Sequence, residues 1–597
     1  MDGRRIRLAL AAILVVAFAL RLAYVMSQRS DVLFEHPVLD ETSYVDAARG
    51  IVAGHVQDKP YWQPPGIIYV LAACFEISDG LLLPRLLQVL ISVATCGLAF
   101  LIGRRLFNVR VGLAAAAILA LHGVLVFECY ELLPATWIVF FDTLALWLSL
   151  RAAESRAPLA AFATGLAIGV SAIFAPTILP FAVIAAIAVR KPIAIAALVV
   201  GVVLPIAPVT MRNYRHGGEV VLVSANSGLN LYLGNNADYR TTFALRPGRH
   251  WEELTSEGLR RGITKPGAQS SYYQRKARSF VAHHPGSALV LTGRKLYLFF
   301  HGAEVPRDTD LYAARRDSWL LAVLVWPLVF PDGLLIPAAL IGIALLWRER
   351  RRLALPLALL AMLAIVTAIF FVSSRHRAPA LPLFALFAAA GAAPLVERWR
   401  SWPLKARVLA SVGIAALVVA LNIPTFETQL SYAGELDFYR GIAMKNPDDK
   451  RAAFERATAA NPNDPRAWFE LGNALQGPDA IAAWQHAVAA DPWDSRARRR
   501  IAGALVQQGD IDGAIATLQQ SIDAHLRDDA HYAPDHLNLA FLHIQRGNTV
   551  AAIDHLRAAA RADINYVHGT LPRMASSLRG APNIDPAFLQ AVDEVLR

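Results

Sequence analysis

Apolar residues recur along the first 423 positions in blocks of roughly 17–25, the length at which a helix crosses a hydrocarbon core. The blocks fall at 6–26, 84–104, 111–127, 134–150, 158–175, 176–189, 193–211, 331–347, 353–373, 378–396 and 405–423, which predicts about eleven spans. Polar stretches at 27–83 and 212–330 interrupt them and read as two long loops. Within the second, Trp319–Phe330 is short and stops at Pro331-Asp332-Gly333, so it is expected as an interfacial helix. The first block follows Arg4, Arg5 and Arg7, carries Arg21 near its outer end, and reaches Met26-Ser27-Gln28-Arg29 without a small-x-small cleavage site. A retained helix fits these features better than a cleaved leader.

After about position 446 the periodicity becomes that of polar, paired helices that repeat. Trp468, Leu471, Gly472 and Leu475 mark one first helix; Ile501, Ala502, Leu505 and Gly509-Asp510 a second; Leu539, Ala540 and Gly547-Asn548 a third. Partner helices are expected at Ala480–Ala489, Ala514–Ile522 and Ala551–Ala559, with Asn461-Pro462 and Asp491-Pro492 as punctuation. Small residues where helices cross and Gly-Asp or Gly-Asn turns resemble a tetratricopeptide array of about three repeats. The expected domains are a membrane part at 1–430, a linker at 431–450, repeats at 451–565 and a helical cap or tail at 566–597.

Composition agrees with this division: 55% hydrophobic and 18% charged residues over 597 positions exclude a single soluble globule. The net charge of +11 does not indicate nucleic acid, because the basic residues cluster between apolar blocks. Arg104, Arg105 and Arg110, then Arg151 and Arg156, Arg190 and Lys191, Arg348 to Arg352, and Arg398 to Arg407 all fall on one side of the predicted spans. That side is cytoplasmic by the positive-inside rule, which puts the N-terminus inside and both long loops and the repeats outside, as in a bacterial inner-membrane protein. Cys74, Cys96 and Cys129 lack metal-ligand spacing and are expected to pack in or beside apolar segments.

The candidate chemistry lies on the outer side. Leu39-Asp40-Glu41-Thr42-Ser43-Tyr44 opens the first long loop and Gln63-Pro64-Pro65 follows it. The next outer loop, Glu128-Cys129-Tyr130-Glu131, adds two carboxylates. Arginines stand at Met211-Arg212-Asn213-Tyr214 and at Ser373-Ser374-Arg375-His376-Arg377-Ala378-Pro379, against the charge bias. Forked guanidinium donors so near hydrocarbon suit phosphate oxygens, or lipid head groups. Asp40 is also placed to cap a helix through Thr42 and beyond.

Together these segments resemble the protein O-mannosyltransferase and aminoarabinose-transferase superfamily, whose membrane fold is called GT-C, over most of residues 1–430. The resemblance implies a mainly α chain: a polytopic GT-C-type membrane domain with a mixed external loop region, then an α-helical solenoid. It also implies transfer of a sugar from a polyprenyl-phosphate donor to an acceptor outside the cytoplasm. Asp40 matches the leading acid of the family motif and is expected as the general base, raised in pKa by burial. Glu41 would orient the acceptor, a loop amide or a metal, and Glu131, with Glu128 second, matches the family's facing acid. Arg212, Arg375 and Arg377 are the donor-phosphate candidates, with His376 standing where the family has Tyr. Tyr44, Gln63, Asn235 and Glu304 are expected to shape the loop and acceptor side. The run Ser224–Asn236 is expected to form a short strand and tight loop. His301 and Glu304 make no complete metal-ligand set, and the cofactor stays open, since some members use a divalent cation and others do not. Partners implied are membrane lipid, the lipid-linked sugar, and a protein held by the repeats. Two other functions fit less well: a ligase or polymerase using a diphosphate-linked oligosaccharide, and a noncatalytic scaffold or lipid-glycan transporter.

Overall fold

The structure, a computed structural model, describes residues 3–55, 57–326, 330–523, 532–579 and 584–597, and divides into two compact units, Met1–Tyr432 and Ala433–Arg597.

In the first unit the apolar blocks are helices: α1 (Gly3–Ser27), α4 (Leu82–Leu106), α5 (Val109–Ala120), α7 (Ala135–Ser155), α8 (Pro158–Phe174), α9 (Leu179–Val189) and α10 (Pro192–Gly217). Further along come Asp332–Leu345, Ala354–Ile369, Leu381–Ser401 and Leu404–Ala420. Three more helices lie between these: α2 (Asp40–Val52), α3 (Gly66–Phe75) and α6 (Gly123–Glu128). Five described helices are long and apolar enough to cross a membrane: α1, α4, α7, α10 and the continuous segment Ser374–Ser401. Shorter apolar helices occupy most of the other predicted blocks. Without a strong hydrophobic force between helices in lipid, close packing must come from small residues. Gly165 and Gly169 of α8 supply it, since a Cβ at Gly165 would meet the Leu198 carbonyl of α10 at 2.0 Å.

Arg21, out of place in an apolar helix, is fully buried and satisfied. Its Nε donates to Ser92 Oγ at 2.7 Å, and its terminal nitrogens donate to the carbonyls of Leu119 and Ala120 at 3.0 Å. Those carbonyls end α5, where the helix dipole favours a cation.

The loops between spans are helical as well. α2 buries Glu41, Tyr44, Val45 and Ala48, one face at helical spacing, against Ile67, Ile68 and Leu71 of α3 and Leu132, Leu133 and Trp137 beyond α6. The expected strand at Ser224–Asn236 is instead a helix, α11 (Ser227–Leu233). Its alternation was that of one buried helical face, Gly228, Leu229 and Leu233, and the backbone of Ser270 comes so close to Gly228 that no Cβ fits. Among the described residues the loops contain no strand, only an isolated bridge between Trp326 and Phe330, so the expected mixed loop region is α-helical. Of the expected interfacial segment, Trp319–Leu324 is helix, and residues 327–329 lie outside the described residues. All three cysteines are free and buried.

The second unit is a run of helix pairs from Glu435–Ala443 to Pro586–Val595. The predicted pairs are present as Pro465–Ala474 with Gly477–Ala490, Ser495–Gln507 with Ile511–Asp523, and Ala533–Gln545 with Thr549–Ala562. Asp464, Asp494 and Asn548 cap helix starts with their side chains, and Gly509 and Gly547 make the left-handed turns at φ 83° and 75°. One expectation changes and another is narrowed. The supposed linker holds a helix, Glu435–Ala443, whose Phe438 packs on Phe454 with ring centroids 6.1 Å apart. Of the helical cap or tail expected at 566–597, the described residues form the cap, sharing a core with the third pair through Val567, Leu571 and Phe588 against Leu537 and Leu556. Apolar residues at one helical face are buried in both places, so the stack extends at each end.

Candidate active site

Asp40 begins α2 without capping it. Leu39 holds the cap position at φ 56°, a region a branched residue seldom adopts, and no side chain caps the helix. The Asp40 carboxylate is turned instead to the single turn Ser374–Arg377, where its Oδ2 lies 3.1 Å from Arg375 Nη1. The same Nη1 lies 2.7 Å from Oδ2 of Asp308. Three distant segments therefore meet on one guanidinium, beside a recess lined by Phe127, Glu128, Asp308, Ser373, Ser374 and Arg375.

Glu41 faces the other way. Its Oε1 accepts from the Leu132 amide at 2.6 Å, so of the partners open to it the loop amide is the one it has. Glu131 accepts from Thr309 Oγ1 at 2.5 Å, next to Asp308. Glu128 lines the recess with a buried Oε2 that has no hydrogen-bond partner. Arg85, fully buried, fastens this group from behind: Nη1 donates to Phe34 O at 2.7 Å, Nε to Tyr130 O at 3.1 Å, and its plane sits 4.2 Å over the Phe34 ring.

The electrostatics separate these acids. Burial pushes Asp40 upward, but the charge and hydrogen bond of Arg375 outweigh it and hold the carboxyl below its ordinary range. The expectation of a base raised by burial is thereby reversed, because the residue that decides is far away in sequence. Burial does win at Glu41, pushed up to about 7, at Glu128, pushed up to about 8, and at Asp308, pushed up to about 6. It also raises Glu131 and the Tyr44 hydroxyl; Tyr44 is buried on α2 and feels the charges of Asp40, Arg375 and Asp308.

The remaining candidates stand apart from this cluster. Arg377 is sealed in an ion network with Glu304 and with Asp332, whose Oδ1 is 3.1 Å from His122 Nε2. Both ring nitrogens of His301 are used, Nε2 toward the Ile423 carbonyl and Nδ1 by the Ala303 amide, each at 2.9 Å. Arg212 donates to the carbonyls of Gln57 and Lys59 and lies 4.1 Å from the Tyr61 ring, bracing the first loop. Gln63 is half-buried in that loop. Asn235 bonds the Ile369 carbonyl and Lys295, whose burial lowers its amine to about 7. Among the described residues no three His, Cys, Asp or Glu side chains are grouped to hold a metal ion.

Sequence reasoning missed Asp308 and Arg85. Asp308 stood in the charged run Glu304-Val305-Pro306-Arg307-Asp308-Thr309-Asp310, and Arg85 as a lone charge in Leu83-Pro84-Arg85-Leu86; both were visible signals without a partner to explain them.

Residues 62–211 match the family model described as dolichyl-phosphate-mannose-protein mannosyltransferase, and residues 476–534 match a tetratricopeptide repeat model. One chain thus carries a segment similar to a mannosyltransferase family and, further along, a segment similar to tetratricopeptide repeats. Among solved structures, the apo oligosaccharyltransferase of Archaeoglobus fulgidus is 16% identical over 83% of this chain and 58% of its own, with a TM-score of 0.40. The Archaeoglobus fulgidus oligosaccharyltransferase AglB, in complex with an inhibitory peptide and a dolichol-phosphate, is 14% identical over 81% of this chain and 63% of its own, with a TM-score of 0.35. This chain therefore spans about three fifths of the length of those two enzymes. MamA is 16% identical over 23% of this chain and 81% of its own, with a TM-score of 0.21. No curated protein sequence matches.

Proposed function

We propose that the chain transfers a glycosyl residue from a polyprenyl-phosphate-linked sugar to an acceptor outside the cytoplasm, as a multi-pass protein of a bacterial inner membrane. The observation that carries the reading is the meeting of Asp40 with Asp308 and Arg375, two residues of a recess that Glu128 and Arg307 also line. An acceptor hydroxyl attacks the anomeric carbon, its proton passes to ionised Asp40, and the bond to the phosphate oxygen breaks with its electron pair on the leaving polyprenyl phosphate. Arg375 is the cation for that phosphate, where charge develops as the bond breaks. Glu41 and Glu131 position the loops, through the Leu132 amide and the Thr309 hydroxyl. Arg377 and Arg212, spent on protein partners, take no part in donor binding. The repeats hold a protein partner or acceptor near the membrane surface, the usual use of such stacks.

The test is release of polyprenyl phosphate from a panel of labelled polyprenyl-phosphate sugars by the purified protein in lipid, wild type against Asp40→Asn. Donor-dependent release that disappears in the variant supports enzyme and base together. A folded wild type that turns over only diphosphate-linked donors would move the reading to a ligase or polymerase.

A further inference from the structure

Arg375 carries one positive charge, yet it is shared by two carboxylates through a single nitrogen, at 3.1 Å from Asp40 and 2.7 Å from Asp308. The two carboxylates outweigh the charge of Arg375 itself, and Arg307, which lines the same recess, is the next cation. A sugar linked to a lipid through one phosphate is a phosphodiester and adds another negative charge. In a partly buried site, where charges interact several-fold more strongly than in water, that third anion competes with both carboxylates for Arg375, and it binds best when one of them is neutralised. On the reading of this site as a donor-phosphate site, the geometry points to Asp308 as a proton-linked gate: it takes up a proton when the donor phosphate binds, releases Arg375 to the phosphate, and leaves Asp40 ionised as the base.

The choice between the two carboxylates follows from their surroundings. The Asp308 side chain is 15% exposed and that of Asp40 is 31% exposed, so Asp308 bears the greater cost of charge. Burial already raises Asp308 to about 6, whereas Asp40 lies below its ordinary range, so the first proton goes to Asp308. When two titrating groups are pushed apart in this way, their environments assign the proton. The groups that face Asp308 are Arg375, Asp40, Glu41 and Tyr44 on α2, Glu128 on α6, Arg307 beside it in sequence, and Arg246. The cations among them lower its pKa; an arriving phosphate occupies Arg375 and adds negative charge, and both effects raise it. The backbone around Asp308 stays in place. Arg246 holds the Asp308 carbonyl at 2.8 Å, and Thr309 holds Glu131. The step is therefore a side-chain rotation with uptake of one proton from solvent, and no lid moves.

The direction with pH is fixed. Below about 6 Asp308 is already protonated and donor binding takes up no proton. Above that, each pH unit weakens donor binding by up to tenfold, the slope for one proton taken up.

The experiment is calorimetric titration of the full chain in lipid nanodiscs with farnesyl-phosphate mannose and the other sugars of the release panel, in two buffers of different ionisation enthalpy. At pH 7.5 the expected uptake is close to one proton per donor bound, falling toward zero at pH 5. Asp308→Asn is expected to abolish the uptake and to bind donor about thirtyfold more tightly at pH 7.5 than wild type, with pH-independent affinity. Donor binding and turnover by the wild type without proton uptake overturns the gate while leaving the glycosyltransferase reading intact. The same uptake in Asp308→Asn assigns the proton to another group and overturns it as well. If no donor of the panel binds the folded wild type, the reading beneath it fails, and the gate with it. The wild-type buffer comparison needs no substitution, so poor folding of the variant does not rescue the proposal.

Discussion

Arg375 and Arg377 stand two residues apart in one helical turn and present opposite cases of a buried arginine. Arg375 is bound to two carboxylates that remain partly open, at the edge of a recess. Arg377 is 2% exposed, and its partners Glu304 and Asp332 are almost as deeply enclosed, with His122 closing the far side. Both have the chemistry to hold a phosphate; only one has an approach to it. A sealed ion network pins elements together and is strongly disrupted by loss of one member, whereas an open one can exchange a partner for a substrate. The difference between them is access, set by what packs around each fork.

Breaking the sealed network is the largest effect expected. Arg377→Ala leaves Glu304 and Asp332 buried without their cation, at a cost of about 3–5 kcal/mol. It should abolish folded protein in detergent, read as loss of the monodisperse peak and of the thermal transition. Arg375→Ala leaves carboxylates that solvent reaches, and should keep that transition. If both variants unfold alike, the two arginines do not differ in access.

On the open side, Asp40→Asn should keep the thermal transition and lower kcat by roughly 10²–10⁴-fold, the range of a general base. Arg375→Lys keeps the charge but loses the fork, so donor KM should rise about tenfold while kcat falls less. A fall in kcat with KM unchanged would show that Arg375 serves the transition state and does not hold the ground-state donor.

A third region, the repeats, sharpens the comparison because none of the residues that line the recess comes from it. Gly472→Ala puts a methyl 2.4 Å from the Trp484 ring within a repeat, and overpacking of this kind costs about 1–3 kcal/mol. The repeat unit should melt earlier, while donor turnover on a small acceptor stays near wild type. Loss of turnover on that acceptor would mean that the repeats support the site and do more than recruit.

The smallest effect is a pH slope. Glu128 titrates at about 8 in the folded protein because of burial, well above an unfolded glutamate, so the folded state holds the extra proton. Its contribution to stability is complete below the unfolded pKa and is lost as pH rises toward 8. Melting temperature should therefore decline between pH 5 and 8, and Glu128→Gln should flatten part of that decline. An identical slope in the variant would assign it to Glu41 or Glu304, which titrate at about 7.

Much of the fold was readable because it rests on local order. A membrane helix is written as a contiguous apolar block, and each tetratricopeptide pair as small residues and turn formers at fixed offsets, so both were legible without knowing any contact. The acidic pair Asp40-Glu41 was legible for the same reason, as an anomaly in its neighbourhood. Where local order was ambiguous the reading failed: Ser224–Asn236 alternates like a strand, yet its apolar residues pack as a helix face against Ser270 and Tyr273. Residues 435–443 read as linker until Phe438 found Phe454.

What the amino-acid order determined by itself was the list of helices, the repeats and the segments rich enough in charge to do chemistry, since hydrophobic periodicity and turn propensity act between near neighbours. The tertiary structure alone decided which arginine stays open, which carboxylate is held ionised and which is pushed toward its proton. Those outcomes depend on burial and on charges brought together from opposite ends of the first unit, Asp40 to Arg375 above all. Coulomb and desolvation energies follow distance in space, and no pattern along the chain encodes that distance.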